Sequence, residues 1–120
     1  MLSQKPYLIR AIHQWCQDNN LTPYLASIAD HTTQVPQQYV NDGQIVLDIN
    51  GEAIQDLIIG NDWITFSATF SGILYHISLP IQNILAIFAK ENGQGMQFEV
   101  VQPNPADDEP VAKHGLKLVK

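Results

Sequence analysis

The longest alternation of hydrophobic and polar positions lies between residues 63 and 70, which read Trp-Ile-Thr-Phe-Ser-Ala-Thr-Phe. A period of two places alternate side chains on opposite faces of an extended chain, so this run predicts a β-strand. Ser71-Gly72 follows as a tight-turn signal, and the apolar run from Leu74 to Leu79 returns. The pattern therefore predicts an antiparallel hairpin.

A second strand is predicted after the turn signal Asn41-Asp42-Gly43. Asn and Asp tolerate left-handed backbone and Gly has no Cβ to forbid it. In the residues 44–49 that follow, apolar and more polar positions alternate, as in a half-buried sheet. Pro36 lacks a backbone donor and bars the preceding segment from a central strand. We therefore expect an extended approach beside the sheet, lined by Val35, Tyr39 and Val40.

The amino-terminal segment predicts an amphipathic helix from Pro6 to Asn19, with apolar residues at helical spacing. Its second apolar side carries Tyr7, Ile9 and Ala11. A helix packed on one face does not need this second side, which fits either an intermolecular contact or burial on a wide face.

The remaining periodic segments complete a mainly β domain over residues 1–101. Further strands are expected at Leu25–Ala29, at Ile54–Ile59, after a short helical turn within Pro80–Lys90, and at Met96–Val101. Residues 102–114, rich in proline and acidic side chains, predict a flexible linker. In residues 115–120 apolar and cationic side chains alternate, which fits either a frayed terminus or a docking peptide that orders on binding.

Composition narrows the class of protein. At 120 residues the chain has room for one modest core, and it has no apolar run of the roughly 20 residues needed to cross a bilayer. No signal-peptide core follows the amino end. A single cysteine, Cys16, suits a reducing compartment, so we expect a soluble cytoplasmic protein. The net charge of −6 makes nucleic acid a poor candidate partner.

The sequence shows no chemistry that would indicate an enzyme. The four histidines lie far apart and form no short metal-ligand spacing, so neither a metal nor a cofactor is expected. We find no phosphate-binding glycine motif and no nucleophile elbow. The carboxylates from Asp107 to Glu109 lie in the predicted linker, where solvation is their simplest use.

Several ordered segments resemble the stringent starvation protein B family, SspB. They are Pro6–Ala11, Asn19–Pro23, Gln34–Pro36, Asp42–Leu47, Leu85–Gly93 and the basic, apolar tail. The resemblance implies an Sm-like, partly open β-barrel with an amino-terminal dimerisation helix. It also implies a non-enzymatic adaptor that delivers ssrA-tagged polypeptides to the ClpXP protease. The tail would dock on the amino-terminal zinc-binding domain of ClpX, so the zinc would belong to the partner.

The resemblance also assigns site residues. The groove for an extended tag peptide falls on Tyr39, Phe66, Ala68, Met96 and Phe98. An extended peptide uses main-chain hydrogen bonds along a strand while alternate side chains enter apolar pockets, which suits these residue types. Docking on ClpX is assigned to Leu116, Lys117, Leu118, Val119 and Lys120. The apolar residues on more than one side of the predicted helix place Leu8 and Ile12 in the homodimer interface.

Two other classes remain open from the residues alone. An Sm-like or OB-like barrel could bind single-stranded RNA, with Tyr39, Phe66 and Phe98 as stacking platforms. Three of the six cations, Lys113, Lys117 and Lys120, lie in the linker or tail, which leaves little positive charge for RNA on the body. The chain could also be a subunit of a larger assembly whose exposed helix is an interface.

Overall fold

A computed structural model describes residues 2–100 as one helix and seven strands. The helix α1 spans Lys5–Asp18. The strands are β1 Pro23–Ile28, β2 Gln44–Asp48, β3 Ile54–Ile59, β4 Trp63–Phe70, β5 Ile73–Pro80, β6 Ile84–Ala89 and β7 Gly95–Gln97. Two short 3₁₀ helices, Gln37–Tyr39 and Ile81–Asn83, precede the β2 turn and β6. The predicted mainly β fold with an amino-terminal helix is confirmed.

Helix α1 begins with Pro6 in its first turn, where a missing N–H removes no helical hydrogen bond. It ends where Asn20 adopts a positive φ of 57° and the Leu21 amide donates to the Cys16 carbonyl at 2.8 Å. Ile9 and Cys16 are fully buried, whereas Tyr7 and Ala11 are exposed. The helix therefore buries one face in the domain and leaves the Tyr7 side uncovered.

The strands form two antiparallel sheets. One has four strands in the order β2-β1-β6-β7, and the other has three in the order β3-β4-β5. The sheets do not close into a full barrel, in agreement with the expected partly open architecture. In each sheet, residues paired directly across strands share a face, so rows such as Leu47–Leu25–Ile87 and Ile54–Ala68 line a common core.

The predicted hairpin is confirmed as β4 and β5, paired from Trp63–Pro80 to Phe70–Ile73. Only Ser71 and Gly72 connect the strands, and both have positive φ, 52° and 81°. Positive φ at both central residues is the two-residue turn whose twist matches that of the paired strands. The chain reverses so tightly at Ser71 that residues from the two strands face each other up to the tip.

Two predictions were wrong in detail. The segment before β2 is not extended throughout, because Gln37–Tyr39 forms a 3₁₀ turn in which the Tyr39 amide donates to the Pro36 carbonyl at 3.1 Å. Pro36 restricts its own φ and that of its predecessor but not the residues that follow it. The last strand ends at Gln97, short of the predicted end at Val101, although the Phe98 amide still donates to the Leu85 carbonyl at 2.8 Å.

Two further predictions concern other parts of the chain. The linker expected at residues 102–114 and the docking peptide at 115–120 lie outside the described residues. Within residues 2–100, no helix has the length and apolar character needed to cross a membrane.

One buried nitrogen atom on α1 lacks a hydrogen-bond partner within residues 2–100. The Nε2 atom of His13 is buried without a hydrogen-bond partner among the described residues. Burial lowers the pKa of His13 below its usual 6.5, and the Ile49 backbone opposes this shift only in part. The folded state therefore favours the neutral imidazole more strongly than the unfolded chain does.

This preference predicts acid lability. As the pH falls below 6.5, the unfolded state binds a proton at position 13 before the folded state does, so stability is lost. We expect the urea midpoint of unfolding to fall between pH 7 and pH 5, and the fall to be smaller in His13→Leu. His31→Gln, which changes an exposed histidine, is the matched control and should keep the wild-type slope. If the urea midpoint of His13→Leu fell with pH as steeply as that of the wild type, the acid lability would belong to other groups.

Candidate functional site

Three aromatic rings meet beside the tip of the β4–β5 hairpin. Phe70 lies between Tyr39 and Tyr75, with ring centroids 5.1 Å and 5.5 Å away. The second pair is edge-on, with an interplanar angle of 84°, a favourable arrangement for aromatic quadrupoles. We refer to Tyr39, Phe70 and Tyr75 as the aromatic cluster.

Hydrogen bonds fix the aromatic cluster at its polar rim. The Tyr39 hydroxyl lies 2.8 Å from the Ser71 Oγ, and Gln38 Nε2 donates to the Tyr75 hydroxyl at 3.2 Å. The 3₁₀ turn brings both Gln38 and Tyr39 over the hairpin. Tyr39 remains 38% exposed, so its ring is held in place and still open to a ligand.

Ala68 lies next to the aromatic cluster on the inner side of β4. It pairs with Tyr75 on β5 and with Ile54 on β3, and it is 8% exposed. A shallow depression of about 90 Å³ is lined by residues 52–55, residues 67–69 and Leu74. Leu74 is 57% exposed, which gives this end of the hairpin an apolar surface. Leu74 pairs with Thr69, on the face of β4 opposite to the Ala68 methyl group. A longer side chain at position 68 would therefore crowd the core beside Ile54 and Tyr75.

Phe66 belongs to the core beneath this surface. It is 3% exposed and pairs with Ile77 across the hairpin. Its contribution to a groove would be to support Ala68 from below, because its ring is closed to a ligand in this conformation.

Met96 and Phe98 lie at the edge of the other sheet. Met96 pairs with Ile87 and is half-buried, and the Phe98 amide donates to the Leu85 carbonyl at 2.8 Å. The Lys5 ammonium lies 5.2 Å from the centre of the Phe98 ring. Among residues 2–100, β7 pairs with one neighbour only, so one side of its backbone is free to accept an added strand.

Gly95 sets the close approach of β7 to β6. A Cβ at this position would meet the Ile87 carbonyl oxygen and would lie 2.5 Å from the Phe88 Cα. No side chain fits there without moving backbone. Gly95 thus presses β7 onto β6 and determines where Met96 stands at the sheet edge.

The sequence-assigned groove residues fall into two groups. Tyr39, Ala68 and Phe66 gather around the hairpin, whereas Met96 and Phe98 lie on β7 and its continuation. Within the part of the chain that the structure describes, no hydrogen bond or aromatic contact joins the second group to the aromatic cluster. Sequence reasoning missed Phe70 and Tyr75. Their signal is the register of the hairpin, which sets Tyr75 opposite Ala68 across a two-residue turn.

A separate apolar surface lies at the start of α1. Leu2 is 64% exposed and Tyr7 is 48% exposed, and together with half-buried Leu8 they line an open depression of about 580 Å³. The Arg10 guanidinium lies 4.6 Å from the centre of the Tyr7 ring. We call Leu2, Tyr7 and Leu8 the amino-terminal patch. Ile12 packs partly against the core and does not belong to this patch.

The described residues offer no arrangement for metal or thiol chemistry. No group of three or more His, Cys, Asp or Glu side chains within residues 2–100 is close enough to hold a metal ion. Cys16 is buried, and burial followed by the charge of Glu91 raises the pKa of its thiol, which disfavours the reactive thiolate. The site consists of apolar and aromatic surfaces and a free strand edge, which are features of peptide binding.

Comparison with known proteins identifies the family of this chain. The family model described as SspB, stringent starvation protein B, matches residues 3–117. The chain belongs to the SspB family. The match covers both sheets, the aromatic cluster, β7 and α1, and it extends into the residues after the described domain.

A similar protein from Haemophilus influenzae carries the name Stringent starvation protein B homolog. The two sequences are 44% identical over 97 residues. The matched region is 80% of this chain and 65% of the relative, so the chain spans slightly less than two thirds of the length of that SspB homologue.

Proposed function

We propose that this SspB-family protein is a non-enzymatic adaptor that binds ssrA-tagged polypeptides and tethers them to the ClpXP protease. The observation that carries the proposal is the family match over residues 3–117. The apolar surfaces and free strand edge supply a physical basis for holding an extended peptide. Delivery through a tethered docking segment supplies a reason for the composition of residues 102–120.

The tag would contact the two halves of the candidate site in different ways. Tyr39 offers a fixed aromatic ring, and Ala68 a small side chain close to the aromatic cluster, beside a shallow depression with a mixed polar and apolar lining. An extended peptide would place alternate side chains against these surfaces. Met96 offers a pliable thioether at the edge of β7, where main-chain hydrogen bonds are available. Phe66 and Phe98 support these surfaces from the core side.

The tether would act through local concentration. In this proposal, residues 102–114 link the body to a docking peptide formed by Leu116, Lys117, Leu118, Val119 and Lys120, which binds the amino-terminal zinc-binding domain of ClpX. A tag held on the body is then kept near the protease, so capture no longer depends on free diffusion.

We also propose a homodimer joined through α1. The amino-terminal patch is an exposed apolar surface on one helix, and a two-fold axis would bury it against its own copy. Leu8 is the central contact in this arrangement. Ile12, which faces the core more than the patch, would act mainly by setting the position of α1.

The groove prediction uses two substitutions. Tyr39→Ala removes the exposed ring, and Ala68→Gln crowds the surroundings of Tyr75 and so displaces the aromatic cluster. Each should weaken binding of a fluorescent ssrA peptide by about 1–3 kcal/mol. Tyr39→Phe keeps the ring and should lose less tag affinity than Tyr39→Ala. Ala11→Gln, at an exposed helical position, is the matched control for Ala68→Gln.

Circular dichroism and urea unfolding would show that each groove variant is folded. Folded Tyr39→Ala and Ala68→Gln chains that bind the tag as tightly as the wild type would refute this surface. Labelled single-stranded RNA, titrated at low and moderate salt, tests the alternative: salt-sensitive RNA binding without tag binding would favour an RNA-binding barrel.

The tail prediction separates binding from delivery. Deleting residues 116–120 should leave tag affinity unchanged, because the groove belongs to the folded body. The same deletion should abolish the acceleration of ClpXP degradation at low substrate concentration and matter little at saturation. Replacing residues 116–120 by Gly/Ser of equal length is the control for chain length. Normal delivery by both variants at low substrate would show that the body contacts the protease directly.

The dimer prediction concerns the amino-terminal patch. Leu8→Arg places a charge in the apolar contact and should convert a micromolar dimer to a monomer in sedimentation equilibrium. Gln17→Arg adds the same charge at an exposed position elsewhere on α1 and should leave the dimer intact. A monomeric wild-type protein, or a Leu8→Arg dimer of undiminished stability, would contradict the proposed interface.

A further inference from the structure

A wide cleft lies away from the aromatic cluster, where five segments of the chain converge. It has a volume of about 980 Å³. Its lining comes from the start of α1, the end of β1 with the loop after it, the β3–β4 turn, the 3₁₀ helix before β6, and residues 99–100 after β7. This volume is at the upper end of the roughly 300–1,000 Å³ typical of ligand pockets. None of the residues assigned to tag binding lines it.

Hydrogen bonds fix the side chains at the base of the cleft. Asn83 is 5% exposed and its Nδ2 donates to the Ile28 carbonyl at 3.3 Å and to Asp30 Oδ1 at 3.1 Å. Asp30 Oδ1 also accepts from the Thr32 hydroxyl and amide. These hydrogen bonds, that of the Thr32 hydroxyl first, lower the pKa of Asp30 below its usual value. A fixed carboxylate thus stands at the cleft surface.

The charge of the lining is predominantly negative. Asp30, Asp62 and Glu99 contribute three carboxylates, and Lys5 contributes the one lysine or arginine. That lysine already lies over the Phe98 ring and 3.4 Å from the Gln82 carbonyl oxygen. Trp63 adds a large apolar surface that is 46% exposed. An acidic cleft with an open indole suits a ligand that is both cationic and apolar.

The chain itself leads into this cleft. Glu99 and Val100, which are the last described residues, belong to its lining. After them the sequence continues through residues 101–112 to Lys113. Residues 113–120 read Lys-His-Gly-Leu-Lys-Leu-Val-Lys, with three lysines, three large apolar residues and no acidic side chain. Their chemistry complements the cleft, and their connection to the body begins at its wall.

From the charge complementarity and the exit of the chain at Val100, we infer that residues 113–120 dock in this cleft of their own chain. The twelve connecting residues, 101–112, span up to roughly 40 Å when extended, which is ample for a return to the same surface. Short flexible connections give effective concentrations of about a millimolar, so even weak contacts suffice to hold the segment. Lysines face Asp62 and Glu99, and leucines cover Trp63.

Such docking would control whether residues 113–120 are available to a partner, which goes beyond the proposed delivery role. A segment held on the body is unavailable to a second protein until that protein competes for it. The cost of release then raises the affinity that a partner needs. Since neither a protease nor a tag is required for docking in cis, this inference can be tested apart from the proposed function.

The test compares the full chain with a full-length Lys113→Gln, Lys117→Gln, Lys120→Gln variant by ¹H–¹⁵N NMR. We expect shift differences at Asp62, Asn83 and the Trp63 indole at low salt, and their disappearance at about 0.5 M salt. A synthetic peptide with the sequence of residues 113–120 should bind the triple variant at least tenfold more tightly than it binds the wild type, whose own segment competes.

Matched charge variants identify the surface. The double variant Asp62→Asn, Glu99→Gln should show the same chemical-shift changes as the triple lysine variant. It should also bind the synthetic peptide at least fivefold more weakly. Asp42→Asn with Asp56→Asn removes two exposed carboxylates elsewhere and should do neither. Identical spectra for wild type and triple variant would overturn the inference, as would shifts confined to the amino-terminal patch. Shifts that vanish on dilution would also overturn it, because they would place the segment on a second chain.

Discussion

The packing of one helix against two sheets that do not close is the contact on which the rest of the domain depends. Ile9 is fully buried in the same core cluster as the inner residues of both sheets. Full burial of a side chain of this size contributes about 1.5–3 kcal/mol. Arg10 then ties the helix to one sheet, because its guanidinium donates to the Ile59 carbonyl at 2.8 Å and to Asn61 Oδ1 at 3.0 Å. Lys5 ties it to the other sheet through Phe98.

This arrangement leaves the opposite surfaces free for contacts with other chains. The core is filled by the inner faces and by α1, so the hairpin tip and the edge of β7 need no further cover for stability. Ser71 illustrates the separation: its positive φ is a local strain in a non-glycine residue, and its hydroxyl meets Tyr39. Strain is tolerated at the tip because the eight-residue pairing of β4 with β5 fixes both ends of the turn.

Local patterns predicted most of the elements and little of the site. Alternation over Trp63–Phe70 and the Ser71-Gly72 turn were sufficient for the hairpin, since both depend on neighbours in sequence. The 3₁₀ turn at Gln37–Tyr39 was missed because its residues carry no turn signal of their own, and its contact with Phe70 joins residues far apart in the sequence. The acidic cleft was missed for the same reason, as its lining comes from segments far apart in the chain. The family resemblance supplied residue assignments that periodicity alone does not contain.

The short strand β7 has a mechanical consequence. The chain leaves β7 at the end where the Phe98 amide meets the Leu85 carbonyl, and the pairs Gln97–Ala86 and Met96–Ile87 follow inward. A force applied through the carboxyl-terminal side would load these bonds one after another, as in unzipping, rather than all together as in shear. The packing of Phe98 under Lys5 is the first resistance that such a pull would meet. β7 would therefore yield before the central strands, and the hairpin with its aromatic cluster would keep its shape while the edge of the domain opened.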